Sequence, residues 1–142
     1  MDLSVKWRFF RHLTGLHDPD AERIYRWHIV KRSGHRLSAK ITTDQWKLSV
    51  DDYVAACRSL AASMASVGFH VKGAVPIDPD CELLDGAHRV ACAAALRIKN
   101  ISVTQSERKC WAPAWDYEWF VLNGMSNADV VKLKEDWAAM QE

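Results

Sequence analysis

The sequence predicts an α+β protein in which a small mixed sheet is flanked by N- and C-terminal helices. Three observations predict it. Apolar residues keep helical spacing on both sides of the middle of the chain, a β-branched and aromatic stretch runs from Phe69 to Ile77, and residues 69 to 104 read as strand, turn, strand, helix, strand. At 142 residues, with 49% hydrophobic residues and seven tryptophans, the chain fits one domain that buries a core without metals or disulfides.

The elements follow in order. Asp18 before Pro19 reads as an N-cap and a favoured first helical residue, and a helix over 19–32 stops before Gly34, a natural C′ position. Ser49 and Asp52 resemble a capping box. Val50, Tyr53, Val54, Cys57, Leu60, Ala61, Met64 and Val67 then keep helical spacing to Gly68. Phe69 to Ile77 and Glu82 to Leu84 read as a hairpin around the turn Asp78-Pro79-Asp80. Ala87 to Leu96 is helical, Ile101 to Thr104 is a strand, and Trp111, Trp115, Tyr117, Trp119 and Phe120 cluster around Pro113. Ser126 and Asp129 cap a last helix with Val130, Leu133, Trp137 and Met140 on one face. No linker, low-complexity tract or internal repeat interrupts this order.

Charge excludes some functions. The 19 Lys and Arg nearly cancel the 18 Asp and Glu, so no whole-molecule field draws the chain onto nucleic acid or an anionic membrane. The balance is local: ten basic against five acidic residues up to Lys47, nine against thirteen beyond it. The basic first third interleaves Lys6, Arg8 and Arg11 with Trp7, Phe9 and Phe10, and Trp27 follows. This pattern motivates a rival reading as a nucleic-acid-binding or nuclease protein. No run approaches the roughly 18 apolar residues of a membrane span and no h-region follows the N-terminus, so the expectation is a soluble cytoplasmic protein. Cys57, Cys81, Cys92 and Cys110 are too far apart for a zinc knuckle and read as reduced packing residues.

Leu84-Asp85-Gly86-Ala87-His88-Arg89 carries the chemistry. A glycine turn opening a helix presents unpartnered N–H groups to an anion, and His88 and Arg89 add donors, so a phosphate is expected here. Gly86 also serves as the tight turn itself. Asp85 reads as the N-cap, and alternatively as a catalytic carboxylate, which beside phosphates requires Mg²⁺ between them. His88 reads as a phosphate donor or acid–base group, or as a packing residue. The segment 42–47 reads as a loop between helices, either solvated or covering a substrate with Asp44 as base and Lys47 on a phosphate. Asp78 and Asp80 read as turn residues before metal or substrate ligands. Asp18 of the trio His17, Asp18 and Asp20 reads as a helix start before a metal ligand, and Trp111, Trp115 and Trp119 as core before stacking platforms.

The hairpin running into Asp85-Gly86-Ala87-His88-Arg89, the alanine-rich helix and the strand at Ile101 to Val103 together resemble the ParB/sulfiredoxin-like superfamily over about residues 69–104. That resemblance implies that Gly86 and Arg89 mark the turn where nucleotide phosphates meet a helix N-terminus, with Ala87 and His88 inside the same site. Sulfiredoxins carry a catalytic cysteine in Gly-Gly-Cys-His-Arg; Ala87 stands at that position, which argues against sulfinic acid reduction. The arginine-rich box and helix-turn-helix of partition proteins are not visible. What remains is similar to the small-molecule kinase branch, the free serine kinases among them. It implies ATP and Mg²⁺ as cofactors, Asp85 and His88 as candidate catalytic residues, Asp85 as metal ligand, and Gly86, Ala87, His88 and Arg89 around the nucleotide, to which the reading of the 42–47 segment adds Asp44 as candidate catalytic base and Lys47 on a phosphate. The expected partners are a nucleotide and a small polar metabolite such as an amino acid or sugar. A non-catalytic sensor of a phosphorylated metabolite is the remaining alternative.

Overall fold

A computed structural model describes residues 2–33, 39–40, 46–70, 73–110 and 115–141. It is α+β, with six helices and two small two-stranded sheets among those residues. No described helix is long and apolar enough to cross a membrane.

The central element is one that the sequence reading did not delimit. Helix α1 (Asp2–Leu13) buries seven consecutive residues, Ser4 through Phe10, and packs against α2 (Ala21–Arg32), α3 (Val50–Val67), α4 (Ala87–Ala95) and α6 (Asn127–Met140). The covered residues include two cations. Lys6 is bonded to Asp2, and Arg8 forms a two-pronged contact with Asp18, Nε to Oδ2 at 2.6 Å and Nη2 to Oδ1 at 3.2 Å. Asp2 also takes His28 Nε2 at 2.6 Å and Arg32 Nη1 at 3.4 Å. Trp7, Phe9 and Phe10 are core, Phe9 stacking on Tyr25 at 4.4 Å, and Lys6 and Arg8 are neutralised inside the protein.

Helix α2 begins at Ala21, two residues later than expected, and Asp18 is not its N-cap. The Asp18 carboxylate is occupied by Arg8 and by the Asp20 N–H at 3.1 Å, which closes a turn ahead of the helix. Ser33 is the C-cap and Gly34 lies outside the described residues.

The 42–47 segment is not wholly a loop. Strand β1 (Ala39–Lys40) pairs antiparallel with β2 (Trp46–Lys47), Ala39 opposite Lys47. Helix α3 follows as its signals predict: the Ser49 side chain accepts the Asp52 N–H at 3.2 Å, Asp52 accepts the Ser49 N–H at 2.8 Å, and the helix ends at Gly68 with φ of +73°. Tyr53, Val54, Cys57, Ala61 and Met64 form its buried stripe, while Val67 is exposed.

The expected hairpin is corrected to a crossover. Strand β3 (Val75–Ile77) pairs with β4 (Val103–Gln105), and the pairing is parallel, with α4 in the connection between them. Only a single antiparallel bridge, Ile77 to Leu83, joins β3 to the segment expected to be its partner strand. Asp78 holds the intervening turn by accepting the N–H groups of Asp80, Glu82 and Cys110 at 2.8–3.1 Å. Helix α5 (Tyr117–Leu122), capped by Asp116, brings Trp119 and Phe120 against Trp27 and His28. Helix α6 starts at the predicted Ser126 cap and buries Val130 and Leu133.

Candidate functional site

Gly86, not Asp85, is the N-cap of α4, and it sits at φ +85° and ψ 13°, in the left-handed region. A side chain there is strained on backbone grounds, and a second constraint adds to it. Arg89 folds back over the glycine so closely that a Cβ on residue 86 would lie 2.8 Å from Nη2 and 3.2 Å from Cζ and Nε. Arg89 is fixed in that position by the backbone ahead of β3: Nη1 donates to the carbonyls of Gly73 and of Ala74, the latter at 3.2 Å. Gly86 and Arg89 are therefore one unit. The glycine supplies the turn and the space, and the arginine fills it.

Asp85 stands one residue too early to cap the helix. Its Oδ1 accepts the adjacent Gly86 N–H at 2.6 Å, Oδ2 lies 4.0 Å from Arg89 Nη2, and the side chain is 83% exposed. No side chain caps the first turn of α4, and its N–H groups keep their partial positive charge at the helix start, beside an opening.

That opening is a cleft of about 270 Å³. Asp85, Gly86, His88 and Arg89 form one wall, Ala56, Cys57 and Leu60 of α3 the opposite one, and Lys47 reaches it from β2. The Lys47 ammonium lies 4.5 Å from the centroid of the Tyr53 ring, and burial pulls its pKa below the ordinary lysine value, with the Arg32 charge adding to the effect. A bound anion would reverse that shift. Lys47 and Arg89 line the same cleft as the uncapped helix start.

His88 is arranged differently from a phosphate-binding cation. Its Nε2 is 2.9 Å from the Tyr25 hydroxyl, which in turn is 3.1 Å from Cys57 Sγ. Burial drives the His88 pKa well below the usual histidine value, with the Lys6 charge acting in the same direction, and burial also raises the Cys57 thiol and the Tyr25 phenol. At neutral pH the trio is uncharged. His88 has only Nδ1 left to meet a ligand, as a neutral imidazole.

This arrangement has a measurable sign. A base whose folded pKa is depressed binds its proton more readily in the unfolded chain, so its contribution to stability falls as pH drops through about 6.5, the unfolded value. His28, also lowered by burial, adds to the same limb. In an NMR titration of the folded protein the His88 imidazole resonances are expected to stay at their neutral positions as pH falls through about 6.5. A His88 midpoint at or above that value would overturn the assignment.

The other sequence candidates separate. Lys47, Asp85, Gly86, His88 and Arg89 come together; Ala87 opens the helix beside them; Asp44 lies outside the described residues. Asp18 is taken up by Arg8, Asp78 by backbone N–H groups and Asp80 by Lys109, and the described residues contain no group of three or more His, Cys, Asp or Glu placed to hold a metal ion. Trp115 and Trp119 pack on the core through edge contacts with His28, and Trp111 lies outside the described residues. Cys92 is fully buried and Cys57 and Cys92 are free thiols. Tyr25 and Cys57 are the parts of the site that sequence reasoning missed. No spacing signal links them, since Tyr25 lies in α2, Cys57 in α3 and His88 in α4. Compared with models of protein families, with curated proteins and with solved structures, the chain matches none.

Proposed function

We propose that the cleft binds the phosphate end of a nucleotide and that the protein is a cytoplasmic, ATP-dependent kinase of a small polar metabolite such as an amino acid or sugar. The observation that carries the reading is the convergence of Arg89, Lys47 and the uncapped first turn of α4 on one cleft. Phosphoryl transfer asks a protein mainly for positioned positive charge and for a group near the acceptor hydroxyl. The resemblance of the Asp85 to Arg89 turn to the ParB/sulfiredoxin-like superfamily supports the same reading. At about 270 Å³ the cleft suits a phosphoryl group and a small acceptor, with the remainder of a nucleotide lying over the rim.

Mg²⁺ fits the donor set in one way. It commonly uses one or two carboxylates together with substrate phosphates, and Asp85 is the one carboxylate lining the cleft among the described residues. Asp85 would hold the ion, which when bound neutralises phosphate charge. Arg89 and Lys47 orient the phosphates, the N–H groups of Ala87 and His88 donate to their oxygens, and Leu60 and Ala56 exclude water from one side.

One observation favours a second reading, a non-catalytic sensor of a phosphorylated metabolite. Kinase chemistry asks for both a metal ligand and a base, and the described cleft offers a single carboxylate beside a histidine held neutral by burial. Incubation with γ-labelled ATP, Mg²⁺ and a metabolite pool separates the two. A kinase transfers label, and Asp85→Asn abolishes transfer while ATP still raises the melting temperature. A sensor is stabilised by a phosphorylated metabolite and transfers nothing. Absence of any stabilisation by nucleotides or phosphorylated metabolites contradicts both, since ligand at 100 times its dissociation constant adds about 2.7 kcal/mol.

A further inference from the structure

A second cavity, about 750 Å³, lies at the opposite end of α4. The nine residues of that helix separate it from the phosphate cleft by about 13 Å at 1.5 Å per residue. Ala94, Ala95, Ile98 and Met140 line it together with Arg11, Arg97 and Lys99. No carboxylate lines it among the described residues.

Arg8, Arg23, Arg26, Arg32 and Arg58 each reach a carboxylate, whereas Arg11, Arg97 and Lys99 form no ion pair among the described residues. Arg11 is held over the Trp7 ring at 4.5 Å. Arg97 has φ +57° and closes α4 at the position glycine normally takes, with Ile98 N–H bonded to the Ala93 carbonyl at 2.9 Å and Arg97 N–H to that of Ala94 at 3.1 Å. The fold thus keeps an arginine where a glycine is the lower-energy occupant, and that arginine is one of the three cations lining the cavity.

We infer that this cavity binds an amphiphilic anion, a free molecule with an aliphatic tail and one phosphate, sulfate or carboxylate head. Its volume lies within the range of small-molecule sites. The apolar lining residues take the tail by the hydrophobic effect, Met140 adapting to its shape, and the three unpaired cations take the head. Trp7 is 7% exposed, so it offers little ring face for stacking a nucleotide base. A concave site of this size also suits a single molecule better than a membrane surface. The inference does not rest on the reading of the phosphate cleft.

The test is calorimetric titration with monomeric decyl phosphate, with inorganic phosphate, decyltrimethylammonium and anionic phospholipid vesicles in parallel. Decyl phosphate is expected to bind saturably, and neither inorganic phosphate nor the cationic amphiphile to compete. Arg97→Gly with Lys99→Ala should weaken binding by about tenfold or more, as the charged hydrogen bonds are lost. That variant should fold at least as stably as the parent, because the glycine relieves the left-handed backbone. Ala139→Trp, which fills the cavity from α6 with the charges kept, should weaken binding too, and Arg89→Ala should leave it unchanged. Four results would overturn the inference: no binding of decyl phosphate, equal binding in both cavity variants, equal binding of the cationic amphiphile, or retention on vesicles without binding of the monomer.

Discussion

Asp2→Asn is expected to lower folding stability by about 3–5 kcal/mol, the cost of leaving a buried cation without its partner. The Asp2 carboxylate takes Lys6, His28 and Arg32 together, and Lys6 is 1% exposed in the middle of α1. Asparagine preserves the volume of the side chain and one acceptor oxygen but removes the countercharge. Burial alone would raise the Asp2 carboxyl, and the His28 hydrogen bond with the charges of Lys6 and Arg32 outweighs it, holding the pKa far below the usual carboxylate range. A carboxylate with a depressed folded pKa contributes stability that is complete above its unfolded value and lost as pH falls below about 4. The parent should therefore lose stability steeply in acid, and the variant less steeply, retaining the acid limbs of Asp18, Asp52 and Asp78.

Lys6 gives the same variant an alkaline signature. Burial pushes its ammonium down to about 8 even beside Asp2. Without Asp2 it falls further, and a lysine already neutral needs no countercharge. The part of the deficit due to Lys6 should shrink as pH rises past about 8. Denaturant titrations of parent and variant across pH check both limbs. A deficit below about 1 kcal/mol at pH 7 would place Asp2 among ordinary surface pairs and contradict the buried cluster.

Arg89→Ala carries the second large effect, on binding. Removing charge-assisted donors to a phosphate costs about 1.5–3 kcal/mol, or about 10- to 100-fold in affinity. The same change removes the Nη1 bonds to the Gly73 and Ala74 carbonyls and so also costs stability. Lys47→Met separates the two consequences. Its ammonium leans on Tyr53 and makes no ion pair among the described residues, so the variant should keep the stability of the parent and still bind phosphate ligands about tenfold more weakly. Equal affinity in both variants and the parent, measured by calorimetry, would mean that phosphate does not bind in this cleft.

Local signals were legible in this sequence and non-local ones were not. The Ser49 and Ser126 caps each depend on residues three apart, and both helices begin where those residues predict. The burial of Lys6 and Arg8 in α1 was not legible, because it depends on carboxylates from Asp2 and Asp18, a pairing that no periodicity encodes. The parallel pairing of β3 and β4 escaped for a related reason. Three-residue strands are too short to show alternation, and Glu82 to Leu84 lies nearer in sequence to β3 than its true partner does.

The candidate site divides along the same line. The turn from Asp85 to Arg89 is a contiguous signal and stands at the cleft; Lys47 was singled out by composition and reaches it from β2. The wall formed by Cys57 and the Tyr25 hydroxyl beneath His88 depends on how α2 and α3 meet α4, which sequence spacing within any one helix does not express. Asp85 illustrates the limit within the turn itself. The preference for aspartate at an N-cap is real, but a glycine in the left-handed region one residue later took the position.

The most direct measurement is an amide NMR titration of the isotope-labelled protein with Mg²⁺-ATP and, separately, with pyrophosphate. Binding at the start of α4 predicts saturable shifts of the Ala87, His88 and Arg89 amides and of the Lys47 side chain, with Arg97 and Lys99 at the far end of the helix unmoved and all shifts lost in Arg89→Ala. Saturable shifts confined to other residues, or none in the first turn of α4 with either ligand, would contradict the cleft as a phosphate site.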